Sequence, residues 1–501
     1  MQKQFMKRCA MYLNNILPAD NQQTTFQLAF INEDLNKNSL FHPGNLSGKN
    51  RLFLKYYTTT LKFVSARHSQ ALYYIISRAE MRLKMKITKF AKRFRLKTVT
   101  IWLLILSFLI TSPAGIAFAK ENDSEDEFKA VWISYLEFND RLTDPKTGKK
   151  GFTKERFQDM IDEMFDNVVD LNMNAVVVHV RPFGDAMYPS DYFPWSKYIS
   201  GTQGKDPGFD PLEYMVKAAH DRNLEFHAWI NPYRVTSGTT DINTLSKDNQ
   251  ARKWRTNKSE RDDRYVLSFG GSLYYNPSEV WVQSLIRSGI EEIVENYDVD
   301  GIHFDDYFYP VLGSNYKKNF DYKEYNEHYD WCKENKVKVK PIDDWRRDNV
   351  NRLVKKTYEL IKDIDESVQF GISPGGFLDY LLMDDRYYCD IETWLSKPGY
   401  VDYIAPQLYW SFDHSTFPYD KTLDRWLKMR KNKDVKVYVG IATYRAGSNL
   451  EKAWKNDPKL LSKQIEYGRD TGLVDGYLFF RYDFFYKKAT KSGVDYLLKI
   501  L

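Results

Sequence analysis

The chain is poor in cysteine, which excludes several kinds of site at once. Its 501 residues include only Cys9, Cys332 and Cys389, and none of them has a Cys-x-x-Cys partner. This count excludes a disulfide scaffold and a cysteine-based zinc or redox centre, although one disulfide would be compatible with it.

Acidic residues are scarce in the first part of the chain. Residues 1–119 carry 18 Lys/Arg and 4 Asp/Glu, a balance of +14 within a total of +6, so residues 120–501 balance to −8. A net negative main body argues against nucleic acid as a partner.

The basic residues precede an apolar stretch that is short for a membrane-spanning helix. Six Lys/Arg lie between 86 and 97, residues 99–110 are mostly apolar, and Ala117-Phe118-Ala119 offers small residues around a cleavable bond. A spanning helix needs roughly 20 apolar residues. Residues 85–119 therefore predict a secretory signal peptide, with a retained anchor as the alternative. We expect a secreted or cell-envelope protein that touches a membrane only through an uncleaved signal.

A secretory signal should lie at the start of a protein, yet 84 residues precede this one. Residues 1–84 show no clean periodicity, and Met81 and Met85 both lie just before the basic region. We therefore expect a start codon assigned too early, with residues 1–84 absent from the natural protein or disordered. Residues 120–127 are predicted to be a charged linker, and residues 128–501 the folded domain.

From Phe128 onward, an apolar strand, a polar loop and an amphipathic helix alternate eight times. The strands are near-continuous apolar runs, as in parallel strands buried on both faces, and we predict them at 128–136, 174–181, 224–231, 299–305, 368–373, 401–408, 435–442 and 474–480. Helical spacing of apolar residues predicts helices at 153–171, 211–222, 279–297, 344–364, 421–432 and 458–471.

Eight such units predict an α/β fold, a (β/α)8 TIM barrel with long loops after strands three and four, at 234–278 and 309–343. A doubly wound open sheet is the alternative, but no G-x-G-x-x-G follows the first strand. Both long loops follow strand ends, so we expect them to decorate the catalytic face of the barrel.

Active sites in such barrels lie where the strands end, and there this sequence places acids, amides, arginines and aromatic rings. Rings stack on the apolar faces of pyranoses, while amides and charged groups hydrogen-bond the hydroxyls. The predicted substrate-binding residues are Arg181, Asn231, Tyr233, Arg234, His303, Tyr307, Gln407, Tyr409 and Trp410. The alternative interpretations are an ion pair between Arg181 and Asp185, and rim packing by Tyr409 and Trp410.

The stretch DGIHFDDYFYP, residues 300–310, places two adjacent carboxylates directly after a buried strand and among aromatic rings. Glycoside hydrolysis needs two carboxyl groups across the scissile bond. Asp305 shares the inward face of its strand with His303, two residues earlier. We predict Asp305 to be the nucleophile or charge stabiliser, held ionised by a hydrogen bond from His303.

The proton donor is less constrained by the sequence. Asp306 neighbours Asp305, but its side chain should start on the opposite face unless the strand end curls. Asp185 comes from strand two, across the rim, and Glu137 from strand one. We rank them in the order Asp306, Asp185, Glu137. A desolvated acid beside Tyr307 would have the raised pKa that proton donation requires.

Three histidines fall on inward-facing strand positions: His179, His227 and His303. A metal cluster is therefore an alternative. Metallohydrolase barrels usually place two histidines two residues apart on strand one, and here that strand has none. We favour core histidines with satisfied hydrogen bonds, and predict no metal and no cofactor.

These motifs resemble the glycosyl hydrolase-like ten family of bacterial envelope proteins. The matching segments span roughly 128–480 and are 131–133 (VWI), 180–196, 227–235, 273–277, 300–310, 371–374 and 402–410. The resemblance implies a (β/α)8 barrel and glycosidase activity. Some members are associated with peptidoglycan glycan strands from which the stem peptides have been removed.

Residues 301–305 (GIHFD) are also similar to the Gly-x-Arg-x-Asp nucleophile strand of the alpha-amylase superfamily, with His303 in place of the arginine. That superfamily has a glutamate on strand five, where this chain has Gly371-Ile372-Ser373-Pro374. Its alpha-glucan specificity and its acid catalyst are therefore not implied.

The sequence thus predicts an exported glycoside hydrolase whose partner is a cell-wall polysaccharide, in particular peptidoglycan strands that lack stem peptides. A carbohydrate-binding barrel without turnover is the alternative from another class. A metal-dependent polysaccharide deacetylase is the third hypothesis.

Overall fold

The computed structural model describes residues 127–383, 386–448 and 451–501. The predicted signal peptide, the residues before it and all but the last residue of the predicted linker lie outside the described residues. The strands, numbered in chain order, are β1 (Phe128–Ile133), β2 (Ala175–Arg181), β3 (Glu225–Ile230), β4 (Val266–Phe269), β5 (Ser272–Tyr275), β6 (Gly301–Phe304), β7 (Gln369–Ile372), β8 (Tyr403–Ile404), β9 (Lys436–Ile441) and β10 (Gly476–Phe479).

Eight of these strands form a closed barrel in the order β1-β10-β9-β8-β7-β6-β3-β2, and every pair in it is parallel. Strand β1 closes the barrel because it pairs with both β2 and β10. The predicted (β/α)8 barrel is confirmed, and all eight predicted strands are present.

The helices surround the barrel and fill its long loops. In chain order they are α1 (Tyr135–Arg141), α2 (Lys154–Asp170), α3 (Lys197–Ser200), α4 (Pro211–His220), α5 (Gln250–Thr256), α6 (Glu260–Asp263), α7 (Val280–Asn296), α8 (Tyr322–Glu334), α9 (Ile342–Ile364), α10 (Leu378–Leu381), α11 (Ile391–Ser396), α12 (Tyr419–Met429), α13 (Lys452–Asn456), α14 (Leu460–Asp470) and α15 (Lys491–Leu497). Short 3-10 helices cover Ile242–Thr244, Tyr316–Lys318, Thr443–Arg445 and Tyr482–Phe485.

The long loop after β3 contains an antiparallel hairpin, β4–β5, that is separate from the barrel. Its two-residue turn is Gly270-Gly271, with φ of +55° and +76°. Glycine is needed at both positions because the turn that matches strand twist requires positive φ. The hairpin is joined to the residues after β3 through a bridge between Arg234 and Tyr274.

Aromatic rings fill the interior of the barrel, so it is a packed core rather than a channel. The inner cluster includes Phe128, Trp132, Trp229, Tyr403 and Tyr438. Glycines make room for these rings. A Cβ on Gly301 would lie 2.4 Å from the His227 ring, and a Cβ on Gly371 would lie 2.0 Å from the Tyr403 ring.

Both described cysteines, Cys332 and Cys389, are buried and free, so the disulfide that the cysteine count allowed is not formed between them. Within residues 127–501, apart from the two short gaps, no helix has the length and apolar character needed to cross a bilayer.

Candidate active site

The acid pair follows directly from the way β6 packs. Ile302 and Phe304 belong to the cluster between strands and helices, while Gly301 and His303 face the barrel interior. Strand alternation then places Asp305 inward, at the end of the strand. Its carboxylate is 7% exposed and accepts a hydrogen bond from the Asp306 backbone N–H at 2.8 Å.

A glutamine from the neighbouring side of the barrel fixes the same carboxylate. Gln407 Nε2 lies 3.2 Å from Asp305 Oδ1, 3.0 Å from the Ser373 carbonyl oxygen and 3.1 Å from Ser373 Oγ. Gln407 itself is held by backbone bridges to Gly375 and Gly440. The ends of four strands, β6 to β9, thus converge on Asp305.

The two acids are chemically unequal. Burial raises the pKa of both carboxyl groups, and the negative charge of Asp305 raises that of Asp306 further, well above its usual range. The carboxyl group of Asp306 also hydrogen-bonds to that of Asp305. Asp306 therefore retains a proton under conditions in which Asp305 is ionised.

A cation and several rings surround the pair. The Arg234 guanidinium carbon lies 4.2 Å from the Tyr307 ring centroid and 4.9 Å from that of Phe183. Its charge lowers the pKa of both acids and so opposes the effect of burial. The Tyr307 side chain is 43% exposed, which leaves an aromatic surface open to solvent beside the acids.

Tyr409 lies on another side of the pair. Its ring centroid is 5.9 Å from those of Tyr444 and Phe480. Burial raises its pKa well above the usual range, and the charges of Tyr444 and then of the two acids add to that effect. The structure therefore brings together six of the predicted site residues: Arg234, Asp305, Asp306, Tyr307, Gln407 and Tyr409.

A sequence model of the Glycosyl hydrolase-like 10 family matches residues 127–456. The chain belongs to this family. It is 40% identical to glycosyl hydrolase YngK of Bacillus subtilis strain 168 over 394 residues. This aligned stretch covers 75% of this chain and 72% of YngK. It is 32% identical over 415 residues to glycosyl hydrolase DigH of Escherichia coli strain K12, which covers 78% of this chain and 91% of DigH.

Among solved structures, the glycoside hydrolase domain of PgaB (BpsB) from Bordetella bronchiseptica is similar over 74% of this chain and 98% of that domain, at 13% identity and a TM-score of 0.48. The predicted resemblance to the Glycosyl hydrolase-like 10 family is confirmed. Family membership and the names of the two relatives support a glycosidase.

In this Glycosyl hydrolase-like 10 protein, His303 does not hold Asp305 ionised, so that prediction is wrong. His303 lies fully buried inside the barrel, where its Nε2 accepts a hydrogen bond from Trp132 Nε1 at 3.3 Å. Its Nδ1 is then left to donate to the Tyr403 hydroxyl at 2.9 Å. Burial lowers the pKa of His303 well below its usual range. A buried neutral ring with both nitrogens occupied does not bind substrate either.

The other inward histidines are also core residues. His227 contacts the Tyr403 hydroxyl at 3.0 Å and Glu225 at 3.3 Å. The His179 ring stacks on Trp229 with centroids 3.3 Å apart. Among the described residues, no three His, Cys, Asp or Glu side chains are arranged to hold a metal ion. These histidines therefore do not assemble the ligand set that the deacetylase hypothesis would need.

Asp185 is not placed to donate a proton to substrate. Its side chain is 1% exposed, and its Oδ2 accepts a hydrogen bond from Gln203 Nε2 at 3.2 Å, within the loop after β2. Burial raises its pKa, and hydrogen bonds from Gln203 and Ser196 oppose the rise. Asp185 stabilises this loop, so its assignment as a catalytic residue is corrected.

Glu137 is likewise structural. It forms the capping box of α1 with Ser134, whose backbone N–H and Oγ lie 2.9 and 2.7 Å from Glu137 Oε2. The other carboxylate oxygen pairs with Arg481. Glu137 is fully buried by these contacts, which leaves no oxygen free for a substrate.

Arg181 points away from the predicted sugar site. The register between β2 and β3 shifts between His179 and Arg181, which turns the arginine outward. Its guanidinium is fully buried, with its carbon 3.5 Å from the Phe193 ring centroid. It does not form the alternative ion pair with Asp185, whose Oδ1 has no hydrogen-bond partner. Its assignment to substrate binding is wrong because a buried guanidinium does not contact a sugar.

Asn231 and Tyr233 are also buried, at 1% and 0% exposure, so neither presents a polar atom to a sugar. Asn231 Nδ2 donates to the Pro182 carbonyl oxygen at 3.0 Å and links the loops after β2 and β3. Burial raises the pKa of the Tyr233 hydroxyl. Both residues are buried beneath the rim of the barrel and stabilise it. Their assignment to substrate binding is therefore corrected.

Trp410 packs within the rim. Its ring lies 4.9 Å from that of Phe417 and 6.0 Å from that of Phe377, and its carbonyl oxygen accepts a hydrogen bond from Gln464 at 2.7 Å. This geometry favours the packing interpretation over a sugar platform.

Two residues of the loop after α10 that were not predicted, Tyr387 and Cys389, lie near Asp306. Burial raises the pKa of Tyr387 to about 12, and the charge of Asp306 contributes. The buried Cys389 thiol also has its pKa raised by burial and then by Asp306. Tyr387 has a positive φ of 61°, which Gly or Asn usually signals. No local sequence signal would have found this turn.

A second motif overlaps the family segment 371–374. Gly371-Ile372-Ser373-Pro374-Gly375 has the G-x-S-x-G spacing of a serine nucleophile elbow. Ser373 is 1% exposed, and its Oγ accepts a hydrogen bond from Gln407. The helix that follows starts only at Leu378. Ser373 therefore positions Gln407 rather than forming an elbow.

Proposed function

We propose that this Glycosyl hydrolase-like 10 protein is an exported glycoside hydrolase that cleaves cell-wall glycan with Asp305 and Asp306. The observation that carries the proposal is the hydrogen-bonded acid pair at the end of β6, in which burial and mutual charge give the two carboxyl groups different protonation states. Pairs of acids whose environments separate their pKa values divide acid and base roles in this way.

Asp306 is the proton donor in this proposal. Its pKa is raised well above the usual range, and its side chain is half-buried, so it keeps its proton and still reaches a bound substrate. Asp305 is the ionised partner, held by Gln407 and by the Asp306 backbone N–H. Tyr307, Tyr409 and Arg234 supply ring surfaces and a guanidinium for the sugar.

The short separation of Asp305 and Asp306 limits which glycosidase mechanisms this pair can perform. Two-carboxylate glycosidases hold their acids about 5–5.5 Å apart for retention, or about 6.5–9.5 Å apart for inversion, across the sugar. Hydrogen-bonded carboxyl oxygens are closer, about 2.5–3.0 Å apart. Asp305 and Asp306 therefore act from one side of the scissile bond, and the attacking oxygen has another source.

A 2-acetamido group on the sugar would supply that oxygen, as in substrate-assisted glycosidases. The acetamido oxygen bonds to C1 while the C1–O glycosidic bond breaks, and the leaving oxygen takes the proton of Asp306. Asp305 accepts a hydrogen bond from the acetamido N–H. Water then attacks C1 and gives a proton to Asp306, while the bond between C1 and the acetamido oxygen breaks and the acetamido group is restored. Peptidoglycan sugars carry this group, which supports peptidoglycan strands as the substrate.

The test is release of reducing ends from amidase-treated peptidoglycan. Asp305→Asn and Asp306→Asn should each abolish release and still bind the glycan, with thermal unfolding used to check that they fold. Asp330→Asn removes an exposed acid on α8 and serves as the control. Glycan binding by the wild type without release would instead establish the carbohydrate-binding alternative.

Export is tested separately. We expect cleavage after Ala119 and a mature chain that begins at Lys120 in the cell envelope or medium. Ile105→Arg interrupts the apolar stretch and should retain the uncleaved protein inside the cell. Sequencing of the mature N-terminus decides between cleavage and a retained anchor.

A further inference from the structure

We propose that a second site on the catalytic end of the barrel binds the glycan chain at a distance from the acid pair. The site is a groove of about 400 Å³ between the loop after β2, the insertion after β3 and the start of α7. Its lining includes Tyr192, Gln250, Trp254, Tyr265, Trp281 and Ser284. This inference rests on the proposed function, because it assigns the ligand as a further segment of the same glycan.

Trp281 is the feature that points to a ligand. Its side chain is 66% exposed, more than any other large hydrophobic residue in the described part of the chain. It lies in the first turn of α7, where it is not needed for the core packing that Val282 and Ile286 provide. An indole left in solvent beside a groove is a ready platform for the apolar face of a sugar.

Another part of the lining is a packed aromatic surface. The Trp254 ring meets Tyr265 edge-on with centroids 4.9 Å apart, and meets Tyr275 edge-on at 6.0 Å. These contacts hold the Trp254 ring in place. A ring that is fixed before binding loses little conformational freedom when a sugar stacks on it.

The polar lining fits a neutral sugar. Gln250, Ser284 and Ser288 contribute an amide and hydroxyl groups, and the one acid, Asp262, accepts a hydrogen bond from Asn257 Nδ2. Basic residues are absent from the lining, which argues against a nucleic acid or a phosphate. The volume lies in the range of about 300–1,000 Å³ that suits a small ligand rather than a protein surface.

A second groove on the other side of Trp281 is different in character. It measures about 550 Å³ and is lined by charged residues that are already paired, as in Arg261–Glu279 and Arg264–Glu324. Breaking such ion pairs would cost more free energy than the contacts of a neutral sugar would supply. We therefore assign the glycan to the aromatic groove.

Chain direction places the groove at the same end of the barrel as the acids. Helix α7 runs from Val280 to Asn296, and β6 then returns from Gly301 to Phe304, directly before Asp305. Helix and strand are antiparallel in such a unit, so the start of α7 lies at the end of the barrel where β6 stops. A long glycan that leaves the acid pair can therefore cross this rim.

The test uses the full-length Asp305→Asn protein, so that binding is measured without turnover. The probes are insoluble amidase-treated glycan strands, by co-sedimentation, and a disaccharide of the same glycan, by calorimetry. Adding Trp281→Ala should weaken binding to strands about tenfold, equivalent to about 1.4 kcal/mol of lost stacking, and leave disaccharide binding unchanged. Gln250→Ala should weaken strand binding in the same direction.

The matched control is Trp331→Ala, which removes another exposed tryptophan, 53% exposed on α8 and outside both grooves. It should leave strand binding intact. Equal strand binding with and without Trp281 would overturn the inference, as would a concentration-dependent dimer that Trp281→Ala dissociates. Absence of any strand binding by the Asp305→Asn protein would overturn it too.

Failure of this site and failure of the hydrolase proposal give different results. If the wild type releases reducing ends but Trp281→Ala does not change strand binding, only the proposal of the second site is overturned. Trp281-dependent strand binding without release removes only the hydrolase activity and leaves a glycan-binding groove.

Discussion

Arg234 is the cation whose charge lowers the pKa of both Asp305 and Asp306. Replacing it with Gln removes this effect, so the pKa of each acid should rise. Asp305 must be ionised and Asp306 protonated, so both limbs of the pH profile of kcat/KM should move to higher pH. Arg234→Lys keeps a positive charge and should restore most of the wild-type profile. A shift to lower pH in Arg234→Gln would contradict the assigned roles.

The acetamido group of the substrate should be as important as the acids. Peptidoglycan glycan whose 2-acetamido groups have been hydrolysed to amines lacks the attacking oxygen and the N–H that Asp305 would accept. We expect reducing-end release to fall at least about a hundredfold, because an attacking group held within the same molecule is worth that much or more. Comparable release from the two glycans would mean that the attacking oxygen does not come from the substrate.

At the scale of single residues, the sequence predicted the adjacent acids Asp305 and Asp306 but not the contacts of the residues around them. Strand alternation is sufficient to place Asp305 at the inward end of β6. It fails for Arg181, because the register shift in β2 is a property of the paired strands and leaves no mark in one strand's sequence. His303 shares the face of Asp305 as predicted, but Trp132 and Tyr403 take its two nitrogens.

The short helix α1 depends on Glu137, which caps its first turn and neutralises Arg481. Glu137→Ala would remove the capping box and would leave the Arg481 guanidinium, 9% exposed, with only the Asp483 carboxylate at 3.6 Å. We expect the free energy of unfolding to fall by about 2–3 kcal/mol, less than for a buried charge left with no partner, because Asp483 still faces the guanidinium. Denaturant unfolding measures this loss.

Asp140→Ala is the control for Glu137→Ala, because Asp140 lies on the same helix and is exposed. It should change the free energy of unfolding by less than about 0.5 kcal/mol. A Glu137→Ala protein with wild-type stability and no hydrolysis would instead return Glu137 to the catalytic set.

Elements with strong periodicity were predicted closely, and irregular ones were not. The helix predicted at 153–171 is observed as Lys154–Asp170, with Thr153 as its N-cap. The β4–β5 hairpin was missed, although Gly270-Gly271 between two apolar stretches is a recognised hairpin signal. Helix α8 was missed because its sequence, YKEYNEHYDWCKE, buries only Glu324 and Cys332 and so lacks an apolar face.

The stability of the whole domain depends on closure of the barrel. Strand β1 closes it because it pairs with β2 on one side and with β10, the last strand, on the other. The eight repeated units predict this arrangement from the sequence, since eight parallel strands of this kind complete a barrel. The contacts of the residues before β1 contribute less to the stability of the domain. Glu127 forms an ion pair with Arg469 whose partners are 24% and 37% exposed, and such pairs contribute little to stability.

Two truncations distinguish these contributions. A protein that begins at residue 120 retains every strand of the described residues. We expect its thermal midpoint and its reducing-end release to match those of the full chain. A protein that begins at Ser134 lacks β1, so β2 and β10 each expose an unpaired edge and the inner rings of Phe128 and Trp132 are lost. We expect it to aggregate or remain unfolded. A cooperative unfolding transition in the shorter protein would show that the other seven strands form a stable sheet without closure.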